Sequence, residues 1–257
     1  MASALAQSRK ARLGTEWLCE TVFRPAAHLV VLALAPLRVP PPAVVLASTA
    51  GGIAAAVELG RGQLVLAAVL VQIKTVLDNA DGQLARLTGR VTAFGRYLDS
   101  ECDLLVNVAL FSAVGYETGN PLAAAAGFVA LTAVLSVNFN LERLAQGRPA
   151  VWDGTVLGRV YGLLYGWQDV LVERFVEHRL RGADAAARRA YHDATTVGIL
   201  ANMGMTTQLA LFGVCVAAGH PLYFVAAALA ELLLVGALVV RRESLVNVDR
   251  EVVLEHR

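Results

Sequence analysis

Apolar residues along this chain come in long blocks closed by short polar, glycine- or proline-rich breaks, not in the alternation of a half-buried strand. A helix needs about twenty apolar residues to cross the hydrocarbon core of a bilayer. Six segments approach that length, at 43–59, 63–84, 97–116, 121–141, 194–218 and 221–240. The first follows Pro40-Pro41-Pro42, and proline is well suited to the first turn of a helix. Gly119-Asn120-Pro121 and Gly219-His220-Pro221 read as tight turns. The pattern predicts an all-α integral membrane protein with six transmembrane helices. A shorter run from Ala26 to Leu37, closed by Pro36, Arg38 and the proline triplet, lacks the length to span and has no cleavage-site chemistry. It predicts an N-terminal interfacial helix.

The single domain therefore divides into an N-terminal cytoplasmic or interfacial segment (1–42), a six-helix bundle (43–240) with a cytoplasmic insertion (143–193), and a tail (241–257). Within the insertion, Leu157, Tyr161, Leu164, Leu171 and Phe175 recur at helical spacing, with Arg159, Asp169, Glu173 and Arg174 between them. A helix lying on the membrane surface is the expected form, and a substrate-binding lid is the alternative. Basic residues set the orientation. Arg9, Lys10, Arg12, Arg24 and Arg38 precede the first span, Arg86, Arg90 and Arg96 lie between the second and third, Arg143, Arg148 and Arg159 follow the fourth, and Arg241-Arg242 open the tail. The opposite breaks hold only Arg61 near Gly60, no base near Gly119, and His220 near Gly219. Both termini and the link after the second span are expected in the cytoplasm, with the cell membrane as location.

Composition narrows the classes. Of 257 residues, 56% are hydrophobic and 17% charged, less charge than a soluble domain carries. The net charge of +1 supplies no broad basic surface, so nucleic acid is not an expected partner. Cys19, Cys102 and Cys215 are far apart and form neither a disulfide framework nor a zinc spacing. The histidines are scattered and take no assigned role.

The charge that does lie near the membrane is concentrated. Asp78 and Asp81 share one helical face with Gly82 and Ala85, and Arg86 is one turn beyond Gly82. Asp99 and Asp103 share a face of the next helix. The residues between them can reverse the chain, so the two acidic faces can meet at the cytoplasmic end of an antiparallel pair. Intramembrane acids are expensive and mark function, and four together call for cations. An all-oxygen donor set suits magnesium, manganese or calcium. Arg86 offers a fork of donors matched to phosphate, and the small residues leave room for a ligand. Two carboxylate-bridged ions beside phosphate point to phosphoryl transfer. Lys74, one turn before Asp78, reads first as a structural ion pair. Asn107 reads as an interhelical hydrogen bond, and Asn138, Asn140, Glu142 and Arg143 as a border to an acceptor pocket.

The string D-x-x-D-G-x-x-A-R-x8-G-x-x-x-D-x-x-x-D, running from Asp78 to Asp103, resembles the signature of the CDP-alcohol phosphotransferases at every fixed position. The resemblance implies a CDP-linked lipid donor, usually CDP-diacylglycerol, that loses CMP while a small acceptor alcohol captures the phosphoryl group. It implies that Asp78, Asp81, Asp99 and Asp103 hold Mg2+ or Mn2+, as two ions, and that Asp103 also acts as base, with a purely metal-holding role as the alternative. Gly82, Ala85, Arg86 and Gly95 match positions that hold the CDP moiety. Family members are commonly homodimers, so a second copy is an implied partner. Arg96, Arg148 and Arg159 are candidates to bind an acceptor phosphate, with topological anchoring as the plainer reading. Their presence favours inositol phosphate or glycerol phosphate over inositol, serine or ethanolamine-type alcohols. The rival function is a membrane metal or solute transporter using the acids as an ion site. Transport asks for polar groups through the whole bilayer depth, and here the acids cluster at one end, with Glu231 as the main exception. A non-catalytic scaffold ranks last.

Overall fold

The computed structural model describes residues 13–182, 188, 191 and 193–255, with side chains to Arg242 and at Ser244. Arg9, Lys10 and Arg12 of the basic N-terminal segment, and His192 and His256, lie outside the described residues. Every element among those described is helical. A π-helical turn (Cys19–Phe23) leads into α1 (Arg24–Leu34), and α2 (Pro41–Gly60), α3 (Leu64–Leu87), α4 (Ala93–Glu117) and α5 (Pro121–Ala145) follow. The insertion holds α6 (Val156–Tyr161), a second π-helical turn (Gly162–Gly166) and α7 (Trp167–Arg179). The chain ends with α8 (Ala194–Ala201), α9 (Met205–Ala217) and α10 (Pro221–Glu255).

The long helices close into a ring. α2 packs on α3 and α4, α4 on α5, α5 on α10, α10 on α9, and α9 back on α3. Leu59, Val71, Leu110, Phe111, Phe212 and Phe224 fill the middle. Phe224 meets Phe212 edge-on at 5.2 Å and Phe111 at 5.9 Å. α2 and α4 approach closely because Gly52 has no side chain; a Cβ there would stand 2.5 Å from the Val106 methyl. α1 lies outside the ring against α3. It buries Ala27 and Val31 with Val44, Ala80 and Leu84, and leaves Leu29 and Leu32 exposed. Its start is tied to the acidic helix by Gln83, whose Nε2 donates to the Arg24 carbonyl at 3.1 Å.

Among the described residues, three helices are long and apolar enough to cross a membrane: α2, α5 and the Pro221–Arg242 part of α10. α3 and α4 form where the pattern predicts helices, but their charged residues keep them out of that class. α10 continues as helix past the expected end of its span at 240. The segment expected as one helix at 194–218 is instead two, α8 and α9, bent by 45°.

That break has a tertiary cause. The N-terminal segment of residues 13–17 crosses it, and Glu16 is almost fully buried there. The Glu16 carboxylate accepts from the Thr207 amide at 2.9 Å and the Thr207 hydroxyl at 3.0 Å, satisfying the open donors at the start of α9. Asn202 accepts from the Trp17 amide at 2.9 Å and donates to the Thr15 carbonyl at 3.0 Å. A Cβ on Gly204 would stand 2.7 Å from the Glu16 carboxylate, and one on Gly14 would stand 2.6 Å from Ala201 Cβ.

The insertion faces the bundle with polar and apolar groups together. Asp169 and Val176 are buried and Glu173 half-buried, while Leu163, Trp167, Leu171 and Phe175 are exposed beside Arg174, Glu177 and His178.

Replacing Glu16 with alanine removes a charge-assisted cap from a buried helix start. Hydrogen bonds to charged groups contribute about 1.5–3 kcal/mol each. Thermal unfolding of Glu16→Ala in detergent should show a lower midpoint than the parent protein, with a loss on the order of 2 kcal/mol. An unchanged midpoint would show that the break does not depend on this carboxylate.

Candidate active site

The acidic residues sit on α3 and α4, which the turn at 88–92 folds against each other. Gly89 takes φ 65° in that turn, a left-handed conformation that glycine adopts without steric cost. Thr92 then caps α4, its hydroxyl accepting from the Gly95 amide at 3.0 Å. A Cβ on Gly95 would press on that hydroxyl at 3.2 Å, so this glycine serves the cap. The result carries Asp99 and Asp103 back alongside Asp78 and Asp81.

One carboxylate oxygen each from Asp78, Asp99 and Asp103 lies within 4.8 Å of the others. Asp81 stands outside that tight group but within Coulombic reach of Asp99, Asp78 and Asp103. It is only 6% exposed, and its Oδ2 has no hydrogen-bond partner among the described residues. Buried polar atoms are normally paired. An orphaned carboxylate oxygen beside three others fits a hard divalent cation, and the donor set is entirely oxygen.

Lys74 enters the same centre from one turn deeper. Its Nζ lies 2.8 Å from Asp78 Oδ1 and 2.5 Å from Asp103 Oδ1, joining α3 to α4. The ion pair expected from the sequence is present, and it extends to the second helix. Ser48 on α2 approaches Asp78 Oδ1 at 3.4 Å. Next along the helix, Asn79 donates to the Thr206 hydroxyl at 3.1 Å and accepts from the Cys19 thiol, which moors α3 to α9 and the N-terminal turn. Arg86 folds back over Gly82. A Cβ there would stand 3.2–3.3 Å from the guanidinium nitrogens, so alanine would displace the arginine by a few tenths of an ångström. Ala85 is half-buried on the same helix.

The insertion docks on the first turns of α4. Tyr97 Oη accepts from the Asp153 amide at 3.0 Å, and Tyr165 Oη donates to the Ser100 carbonyl at 3.2 Å. Tyr161 packs between the other two rings, at 5.3 Å from Tyr97 and 5.1 Å from Tyr165. The π-helical turn sits where Trp152 covers two glycines; a Cβ would come within 2.7 Å of the indole at Gly162 and 3.1 Å at Gly166. Such turns often mark functional positions. Burial, then the charges of Glu101 and Asp103, push the Tyr165 phenol above its ordinary range. Burial and the neighbouring Asp169 do the same to Tyr161. Both therefore remain hydrogen-bond donors at neutral pH.

Asn140 and Arg143 are committed to this docking. Asn140 Nδ2 donates to Asp169 Oδ1 at 2.8 Å, and Arg143 donates to Asn140 Oδ1 at 2.9 Å and to Glu173 at 3.2 Å. Tyr161 Oη donates to Asp169 Oδ2 at 3.2 Å, which ties the network to the aromatic cluster. Asn138 and Glu142 line a separate shallow recess with Arg242. Of the arginines named for an acceptor phosphate, Arg96 is exposed and stacks over Tyr97 at 5.0 Å, one turn before Asp99 on α4. Arg159 donates to the Gly154 carbonyl at 3.0 Å, and Arg148 is exposed with its carbonyl taken by Arg143. Asn107 reaches Met205 Sδ at 4.0 Å, an interhelical contact as expected. Glu231 pairs with Gln208 across α9 and α10, away from the cluster.

The profile of the CDP-alcohol phosphatidyltransferase family matches residues 26–176, a stretch that includes both acidic helices and most of the insertion. A protein of Rubrobacter xylanophilus named as a bifunctional IPC transferase and DIPP synthase is 34% identical over 85 residues, 33% of this chain and 20% of that protein. The phosphatidylinositol phosphate synthase of Corynebacterium glutamicum is 34% identical over 96 residues, 37% of this chain and 42% of that protein. A second bifunctional IPC transferase and DIPP synthase, from Thermococcus kodakarensis, is 35% identical over 81 residues, 31% of this chain and 19% of that protein. The chain thus spans less than half the length of the curated relatives it matches.

The Asp169 network predicts how firmly the insertion is held. Asp169→Ala removes two hydrogen bonds to a buried carboxylate, those from Asn140 and Tyr161. At about 1.5–3 kcal/mol for each bond to a charged group, the insertion should open locally. Limited proteolysis in detergent should cut residues 143–193 at least about tenfold faster than in the parent protein. Arg174→Ala, on the exposed side, should leave the rate unchanged. Equal rates for the two variants would contradict a docked insertion.

Proposed function

The chain belongs to the CDP-alcohol phosphatidyltransferase family, and on that premise we propose that it transfers a phosphatidyl group from a CDP-linked lipid to an acceptor alcohol, with release of CMP. The observation that carries the reading is the convergence of Asp78, Asp99 and Asp103 across two helices, with the buried, orphaned oxygen of Asp81 beside them. CDP-diacylglycerol is the donor, consistent with a site at the edge of a membrane helix that meets lipid and water together.

Asp78, Asp81, Asp99 and Asp103 would hold Mg2+ or Mn2+. When bound, such ions neutralise charge on the phosphoryl oxygens and on the departing phosphate. Arg86, folded over Gly82, contributes fixed donors to the pyrophosphate of the donor. Ala85 keeps the approach open, and Gly95 steadies the start of α4. Asp103 accepts the proton of the acceptor hydroxyl. The oxygen of that hydroxyl forms the new bond to phosphorus, and the bond from phosphorus to CMP breaks with its electron pair leaving on CMP. Arg96, stacked on Tyr97 one turn before Asp99, is the first candidate for an acceptor phosphate. A relative named for phosphatidylinositol phosphate synthesis supports inositol phosphate as the first acceptor to try.

The ring of six long elements crosses the bilayer, α3 and α4 keeping their charges on the inside of the bundle and the bent α8–α9 pair forming one span. Positive-inside placement puts both termini and the acidic centre in the cytoplasm. α1 and the insertion lie along the interface, with Trp167, Leu171 and Phe175 towards lipid. A second copy of the chain completes a homodimer.

The test is reconstituted protein with CDP-diacylglycerol, Mg2+ or Mn2+, and a panel of inositol phosphate, glycerol phosphate, inositol, serine and ethanolamine. CMP release and a matching gain in lipid mass should appear with one acceptor and vanish on chelation with EDTA. Asp78→Asn and Asp81→Asn should each insert in membrane normally and lower turnover by at least about a thousandfold. Normal turnover in either variant would remove the mechanism. Metal flux into sealed vesicles without CMP release would favour a transporter instead.

A further inference from the structure

Lys74 stands inside the acidic centre without a part in the reaction just described. Its side chain is 3% exposed, and its Nζ contacts one carboxylate oxygen on each acidic helix, Asp78 Oδ1 at 2.8 Å and Asp103 Oδ1 at 2.5 Å. Ser48 of α2 bonds the Lys74 backbone, its hydroxyl donating to the Lys74 carbonyl at 3.3 Å. A buried ammonium persists only where carboxylates compensate it, and grouped carboxylates hold together only where a cation compensates them. The two halves of this arrangement therefore depend on each other. Asp81 lies beyond Lys74's contacts, with Oδ2 unpartnered. The lysine thus balances part of the negative charge and leaves the rest for another cation.

We propose that Lys74 is a built-in counter-ion. It holds α3 and α4 together before a divalent cation binds, and it tempers the affinity with which one is then held. A divalent ion among the same oxygens feels the ammonium as a like charge a few ångströms away, which weakens its binding. The proposal rests on the metal-site reading of the four aspartates.

The experiment compares the full-length protein with Lys74→Met in detergent, by thermal unfolding with EDTA and with saturating Mn2+, and by Mn2+ titration followed by electron paramagnetic resonance. None of these readouts requires turnover. Lys74→Met should unfold at a lower temperature than the parent in EDTA, recover most of the difference in Mn2+, and bind Mn2+ at least about tenfold more tightly. If the variant can be isolated only in Mn2+, chelation becomes the measurement. Unfolding at a temperature the parent survives is then the expected result, and equal survival counts against the proposal. A Mn2+ affinity equal to or weaker than the parent's, or an equal midpoint in EDTA, rejects the counter-ion role and leaves the metal site standing. Failure of the parent itself to bind Mn2+ rejects the metal site as well.

Discussion

Mutual repulsion among carboxylates is the constraint around which this fold is organised. Oxygens of Asp78, Asp99 and Asp103 lie within 4.8 Å of one another, with Asp81 close behind. Two like charges at about 4 Å repel by roughly 4 kcal/mol even at an effective dielectric of 20. The helices that carry them would separate unless packing and a counter-charge held them. The packing comes from the apolar ring, in which α2 touches both acidic helices and Gly52 lets it approach α4. The counter-charge within the chain comes from Lys74. What α3 and α4 lose in apolar character through these residues, the surrounding helices supply.

The same constraint explains the elements gathered at this end of the bundle. Asn79 ties α3 to α9 through Thr206, just after the bend between α8 and α9. Irregular backbone in a membrane protein survives only where protein groups satisfy it, and Glu16 and Asn202 do so here. On the other side, Tyr97, Tyr161 and Tyr165 bring the insertion against the first turns of α4. The site is thus bounded by segments distant in sequence, each held by a small number of directed polar contacts.

Much of this was open to a reader of the residues alone. Helix positions followed from the apolar blocks, and the spacing of Asp78, Asp81, Asp99 and Asp103 placed them on facing surfaces. Lys74 was visible as a neighbour of Asp78, but its bond to Asp103 needed the two helices in register. Tyr161 looked like one of a row of apolar positions, yet its hydroxyl belongs to Asp169. Asn140 and Arg143 suggested an acceptor pocket and instead hold the insertion. The bend after Ala201 left almost no local signal, because the segment that fills it lies far away at the N-terminus.

Local chemistry is written along the chain, and it determined the helices and the acidic pattern. These follow from periodicity and spacing within a few turns. Tertiary structure alone decided which oxygens share the lysine, that Asp81 Oδ2 is among the buried oxygens without a hydrogen-bond partner in the described residues, where α8 and α9 part, and which insertion side chains are buried. Each of those depends on contacts between residues remote in sequence, and periodicity does not carry the relative rotation and approach of two helices.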